Sequence, residues 1–249
     1  MNLFKKVLKF VGYSLVVVFA LFVSFFATVN AVEYGPSIIR SQAQADGTFG
    51  SYQKSIDSSN IPLDLVFTMN SSTVKLYSYN DGASYNCTGV LLKNDEEGAL
   101  VLTAKHCLNP SEENYVEHRL VTYMLASSHD DLALLFLDKM IPNKIPVRVG
   151  TVDPKVGDFV YHLGYPNDIL VTFGKVLRET KDHTHAKLSI IPGCSGGGVF
   201  NEHGQLVGIV WGYIRSLDVA IYEPLRDVNI FLEETAATLK KMQNSVLAE

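Results

Sequence analysis

The 249-residue chain reads as a nearly all-β body set between two helices, one crossing a membrane near the N-terminus and one amphipathic at the C-terminus. Three observations carry this reading. Short runs that alternate apolar and polar residues recur after residue 60 and stop at turn signals. Residues 10–32 contain no charged side chain, and Leu225, Val228, Leu232, Ala236, Leu239 and Met242 recur at helical spacing after Pro224, which suits a helix start.

Residues 1–9 carry Lys5, Lys6 and Lys9 and are expected to stay in the cytoplasm. Residues 10–32, rich in Val, Phe, Leu and Ala, have the length a helix needs to span the hydrocarbon core. The rest of the chain is therefore expected outside the cytoplasm, in a periplasm or at the cell surface. The run is longer than a usual signal-peptide core, which favours an uncleaved single-pass signal-anchor. Val29-Asn30-Ala31 leaves open cleavage after Ala31 and secretion. A buried core helix fits least, because the run has no amphipathic pattern. Residues 33–60 are rich in Ser, Gln, Gly and Asp without sustained periodicity, and read as a stalk or a propeptide-like linker, with packing on the body also open.

The body divides into residues 61–144, 145–222 and 223–249. Residues 73–79 alternate like a half-buried strand and end at Asn80-Asp81-Gly82. Residues 88–92, 99–103, 119–124 and 132–137 continue the pattern, and 142–146 read as a connection between halves. Residues 159–166, 170–177, 187–191 and 205–211 supply the strands of the second half, and 223–249 the C-terminal helix and tail. From residue 61 onward there are 189 residues, enough for one compact unit without a separate regulatory domain. Beyond the membrane segment 18 basic residues face 26 acidic ones, a balance of −8, which argues against nucleic acid as a partner.

Three strings carry chemistry: Thr103-Ala104-Lys105-His106-Cys107, Asp131-Leu132-Ala133-Leu134 and Gly193-Cys194-Ser195-Gly196-Gly197. A serine hydroxyl is a weak nucleophile until a base takes its proton, and an imidazole such as His106 suits that task. A carboxylate, Asp131, would hold the imidazole in the right tautomer and stabilise the imidazolium. The tetrahedral intermediate needs unobstructed backbone donors, for which the N–H groups of Gly193 and Ser195 are candidates. Asp130 adjoins Asp131, and in an extended chain only one of two neighbours can face the histidine. The other six histidines lack such flanking residues and read as surface or loop positions. The order His, Asp, Ser also separates the chain from esterases, whose Ser comes first on a strand-to-helix elbow. No C-x-x-C or H-x-x-x-H pair suggests zinc, and no cofactor is expected.

These strings resemble the T-A-A-H-C, D-[IL]-A-L and G-D-S-G-G patterns of trypsin-like, chymotrypsin-fold serine peptidases, the family whose triad is the standard worked case of this chemistry. The Gly164-Tyr165-Pro166 and Thr172-Phe173-Gly174-Lys175-Val176 strings are closer to its bacterial members than to digestive zymogens. The resemblance, over residues 65–242, implies two six-stranded Greek-key β-barrels with the active site between them. It also implies an endopeptidase acting on protein or peptide substrates through His106, Asp131 and Ser195, which residues 10–32 would tether to a membrane; the alternative is a catalytically silent protease-fold binding or scaffold protein at the membrane.

The same likeness pairs Cys87 with Cys107 in a disulfide, which fits an oxidising compartment, and leaves Cys194 unpaired. Cys194 stands where zymogen relatives carry an aspartate that binds a freed N-terminus, so activation by N-terminal insertion is doubtful. Cys194 reads as a small buried hydrophobe, ahead of a redox switch beside the nucleophile. By the same likeness Ser189, Trp211 and Gly212 bind substrate. Ser189 sits near the acid of Arg/Lys-cleaving relatives, and no acid lies between Lys187 and Gly193. That points to apolar or small substrate residues, unless Asp218 reaches the pocket from its other wall.

Overall fold

The computed structural model describes residues 61–80 and 83–247. The expected membrane segment (10–32) and stalk (33–60) lie outside the described residues. Among the described residues no helix is long and apolar enough to cross a membrane.

The alternating runs become two antiparallel sheets. The first holds β1 (Thr73–Asn80), β2 (Ala83–Asp95), β3 (Gly98–Thr103), β4 (Asn114–Val116), β5 (Arg119–Leu120), β6 (Tyr123–Ala126) and β7 (Ala133–Leu137). Their order is β5-β4-β1-β2-β3-β7-β6. The expected six-stranded barrel is thus a seven-stranded sheet, for a local reason. The segment read as one strand over 119–124 breaks at Val121 and Thr122, whose N–H groups turn to Asn114 O and Phe136 O at 2.8 Å each. Before the break it pairs with β4, and after it with β7. One stretch of chain therefore borders both ends of a curled sheet.

The second sheet is a closed six-stranded barrel of β8 (Phe159–Gly164), β9 (Leu170–Glu179), β10 (Thr184–Ala186), β11 (Gly198–Phe200), β12 (Leu206–Ile214) and β13 (Val219–Pro224). The strand expected at 187–191 is not one. The β9–β10 ladder shifts register between His185 and Ala186, and the Lys187 carbonyl then lies so close to Gly174 that a Cβ there would stand 1.7 Å from it. Leu188 and Ile190 are buried while Lys187, Ser189 and Ile191 are exposed. The alternation survives without a ladder, because one side of the segment still faces the core.

Two helices complete the body. The first, α1 (Leu63–Ser72), was not foreseen from the sequence. Its cues are Pro62 at the N-cap, Asp64 in the first turn, and buried Leu65, Val66 and Met69 on one face. Lys144 closes its other end, donating to Asn70 O at 2.9 Å and Thr73 O at 2.6 Å. The second, α2 (Leu225–Leu247), starts one residue later than expected. Pro224 still pairs with Gly208, and the Asp153 carboxylate accepts the first helical N–H, that of Leu225, at 2.8 Å. Its buried face is Leu225, Val228, Phe231, Thr235 and Leu239, with Leu232 and Ala236 only half-buried.

Three apolar clusters result: one inside each sheet, and a third in which Met69, Leu102, Leu132, Leu163, Phe200 and Val228 join the two sheets and both helices. Among the histidines read as superficial, His162 is fully buried on β8. Its Nδ1 lies 2.9 Å from Gly198 O, which requires Nδ1–H, while its buried Nε2 has no partner among the described residues. Burial pushes this imidazole down from 6.5 to about 4. A neutral folded histidine loses ground as pH falls, because the unfolded chain takes up the proton first. Stability is therefore expected to drop by about 3 kcal/mol between pH 6.5 and 4. Urea unfolding across that range should show a shallower pH slope for His162→Gln; identical slopes would refute the assignment.

Candidate active site

His106 lies in a 3₁₀ turn, Lys105–Cys107, directly after β3. Asp131 lies in the bend before β7. Because β3 and β7 are neighbours, paired from Thr103↔Ala133 onward, their ends bring the two side chains together. His106 Nδ1 is 2.5 Å from Asp131 Oδ2, and the His106 backbone N–H donates to Asp131 Oδ1 at 2.9 Å. Lys105 N–H donates to Asp131 O at 3.1 Å. Burial by itself would raise the Asp131 carboxyl, but the two hydrogen bonds from His106 outweigh it and hold the group below the ordinary Asp value. Asp130 turns the other way, onto the Ser127 hydroxyl at 3.3 Å. The adjacent acids diverge as expected, although they sit in a bend and not in a strand.

Ser195 sits in the loop before β11, between Gly193 at φ 101° and Gly196 at φ 81°. Gly196 must be glycine twice over: its φ is left-handed, and a Cβ there would lie 2.0 Å from Thr103 Oγ1 and 2.1 Å from Thr88 O. The loop is fixed on both sides. Gly196 N–H donates to Val210 O at 2.7 Å, and Val210 N–H to Gly197 O at 2.9 Å. From the first sheet, fully buried Thr88 reaches across: its N–H donates to Ser195 O at 2.8 Å and its hydroxyl to Gly193 O at 2.8 Å, while that hydroxyl accepts Tyr165 N–H at 2.8 Å. The Gly193 and Ser195 N–H groups find no backbone acceptor among the described residues. Two donors beside the serine are therefore free for an oxyanion. The Ser195 hydroxyl forms no hydrogen bond with His106 among the described residues.

Cys87 and Cys107 form a disulfide with a Cα–Cα distance of 6.0 Å. It closes 20 residues of sequence, worth about 3 kcal/mol by loop entropy. It also joins the neighbour of Thr88 to the neighbour of His106. These two sulfurs and His106 are the one group of three potential metal-ligating side chains within 4.8 Å among the described residues, and the disulfide occupies both sulfurs. Cys194 is free and fully buried, and burial pushes its thiol up to about 11. That is the environment of an inert apolar residue.

The residues expected to bind substrate lie on the chain beside this loop. Trp211 is the extra residue of a β-bulge between Val210↔Tyr222 and Gly212↔Ile221. The bulge turns it onto the apolar cluster of the first sheet, and its ring meets His183 edge-on at 5.8 Å. It therefore serves the packing between the sheets. Ser189 is exposed, and its hydroxyl lies 3.5 Å from Asp218 Oδ1, which also accepts the Tyr213 hydroxyl at 3.0 Å. Asp218 takes a left-handed conformation at φ 48° just before β13.

One acid near the dyad carried no sequence cue. Glu223 on β13 is 5 % exposed, and its Oε1 accepts the Asp131 backbone N–H at 3.3 Å. Its Oε2 is buried and finds no hydrogen-bond partner among the described residues. Burial pushes this carboxyl up to about 7; the Asp131 N–H bond works against that, while Asp130, Asp227 and Asp131 add to it.

Residues 87–209 match the family model of the trypsin-like peptidase domain. Protease Do-like 2, chloroplastic, of Arabidopsis thaliana is 30% identical over 137 residues, covering 47% of this chain and 22% of that protein. The chain thus spans about a fifth of the length of this curated relative. Rv3671c from M. tuberculosis, in an inactive form, is 19% identical with a TM-score of 0.60, covering 72% of this chain and 95% of that one. The serine endoprotease from Yersinia pestis is 22% identical with a TM-score of 0.60, covering 72% of this chain and 68% of that one. Both share the fold.

The Thr88 clamp has a direct test. Thr88→Val keeps the side-chain shape but leaves Gly193 O and Tyr165 N–H without their partner. Each lost buried bond costs about 1–3 kcal/mol. Chemical denaturation should show a loss in that range or above; a change under about 0.5 kcal/mol would mean that the bridge is dispensable.

Proposed function

We propose, for a chain whose residues 87–209 match the trypsin-like peptidase domain, that it is a serine endopeptidase with His106, Asp131 and Ser195 as its triad. The 2.5 Å contact of His106 Nδ1 with Asp131 Oδ2, beside a serine loop with two free backbone donors, carries this reading. Asp131 fixes the tautomer that leaves Nε2 open as a base. His106 takes the Ser195 proton as Oγ bonds to the scissile carbonyl carbon, and the Gly193 and Ser195 N–H groups receive the oxyanion. The C–N bond then breaks as His106 passes the proton to the leaving amine. Water, deprotonated by the same base, releases the acyl group.

The disulfide and residues 10–32 support placing this chemistry outside the cytoplasm on a membrane tether. A silent scaffold is the second reading, favoured by one observation: the Ser195 hydroxyl is not hydrogen-bonded to His106. Such bonds often tighten only when substrate arrives. A fluorophosphonate probe separates the two. Labelling of the folded, disulfide-bonded protein that disappears in Ser195→Ala supports the enzyme, and no Ser195-dependent labelling supports the scaffold.

Specificity follows from Asp218. Its carboxylate beside Ser189 supplies the acid that residues 187–193 lack, and this favours Lys or Arg before the scissile bond over the apolar or small residues that Ser189 alone suggests. Matched Lys and Leu peptide substrates should differ by about tenfold or more in kcat/KM in favour of Lys. Asp218→Ser should remove that preference. Equal rates for the two substrates on the unaltered enzyme would exclude it.

A further inference from the structure

The triad is divided between the sheets, with His106 and Asp131 on the first and Ser195 beside the second, so whatever ties Asp131 to the second sheet also sets the base against the nucleophile. Glu223 is that tie. It comes from β13 of the closed barrel, 92 residues from Asp131 in sequence, and receives the backbone N–H of Asp131 on Oε1. Lys105 N–H holds the Asp131 carbonyl from the other side. The aspartate is thus gripped at both ends of its own backbone while both carboxylate oxygens receive His106.

Building a buried acid into this place needs a reason, since an apolar residue would fill it without the cost of desolvation. Opposite Glu223 on β12 stands apolar Ile209. The charged groups around it are Asp130 and Asp131 from the bend before β7 and Asp227 from α2; beyond Asp227 stands Asp153 of the connection between the sheets. The nearest cation in sequence, Arg226, sends its NH2 group to the carbonyls of Thr180 and Lys181 at 3.1 Å each. Its Nε lies 3.7 Å from Asp227 Oδ1, and among the described residues no cation forms an ion pair with Glu223.

We propose that Glu223 is a positioning residue for the triad, holding Asp131 through its backbone N–H and coupling its own ionisation to the proton affinity of His106. This rests on the endopeptidase reading for its consequence on turnover, but not for its electrostatic part. Ionised Glu223 adds negative charge behind Asp131, which favours the imidazolium that forms during acylation. Protonated Glu223 withdraws that support as the medium turns acidic, and it loses the stronger acceptor for Asp131 N–H.

The test uses the full-length chain. Glu223→Gln keeps an amide oxygen for the Asp131 N–H and removes the charge; Glu223→Ala removes both. For the alanine variant, kcat should fall about tenfold or more with KM within about twofold, and glutamine, which restores the acceptor for Asp131 N–H but not the charge, should recover part of it near pH 8. The acidic limb of kcat/KM should move to lower pH in the glutamine variant. In parallel, with Ser195→Ala in both proteins and therefore independently of turnover, the His106 ring resonances should titrate about half a pH unit or more lower when Glu223 is Gln. Cooperative melting checks that each variant is folded, and the glutamine variant serves if alanine is not. Superimposable His106 titrations with and without the Glu223 carboxyl would overturn the proposal even in an active enzyme. A shifted titration in a protein whose Ser195 is never labelled would keep the coupling and dismiss the endopeptidase.

Discussion

Thr88 is the point on which the geometry of the site turns. Its N–H and hydroxyl reach from the first sheet to Ser195 O and Gly193 O, and its own carbonyl accepts the Thr103 hydroxyl at 2.7 Å. The serine loop is therefore shaped by the sheet that carries the histidine. The Cys87–Cys107 disulfide is placed to reinforce this arrangement, since it is one residue from Thr88 at one end and one residue from His106 at the other. Without a fixed Thr88, Gly193 and Gly196 would have many backbone states available, and the Gly193 and Ser195 N–H groups would lose their fixed placement.

The acids around this frame differ by their surroundings and not by their type. Asp131 receives two hydrogen bonds from His106, which hold it ionised against the cost of burial. Glu223 receives one backbone N–H and faces other acids, so the same cost dominates and its carboxyl rises. Asp130 is taken up by the Ser127 hydroxyl. A carboxylate is set by the donors it can reach, and Asp131 and Glu223, joined through one backbone N–H, are pushed in opposite directions.

Much of the site was legible in the chain because its chemistry is written in short strings. Residue types in local context singled out His106, Asp131, Ser195 and the glycines about the serine as candidates, the likeness to the peptidase family pointed to Asp131 over Asp130, and the structure brings His106 and Asp131 into contact. The strands of both sheets were legible where alternation and pairing coincide. They were not where the two part company. Residues 187–191 alternate without a ladder, and residues 119–126 belong to two ladders at once. His162 read as a surface or loop position, and only the inward face of β8 makes it a buried neutral imidazole.

The sequence by itself determined which candidate reaction groups the protein has and which neighbours each would require, because a serine, an imidazole, a carboxylate and small loop residues are properties of residue type at short range. Tertiary structure alone decided how those groups are held. Thr88 meets Gly193 across 105 residues, Asp131 meets Glu223 across 92, and Ser189 meets Asp218 across 29. Such contacts leave no periodicity or spacing to read, since each exists only after two separately folded surfaces have been packed together, and it is that packing which sets burial, and with it charge.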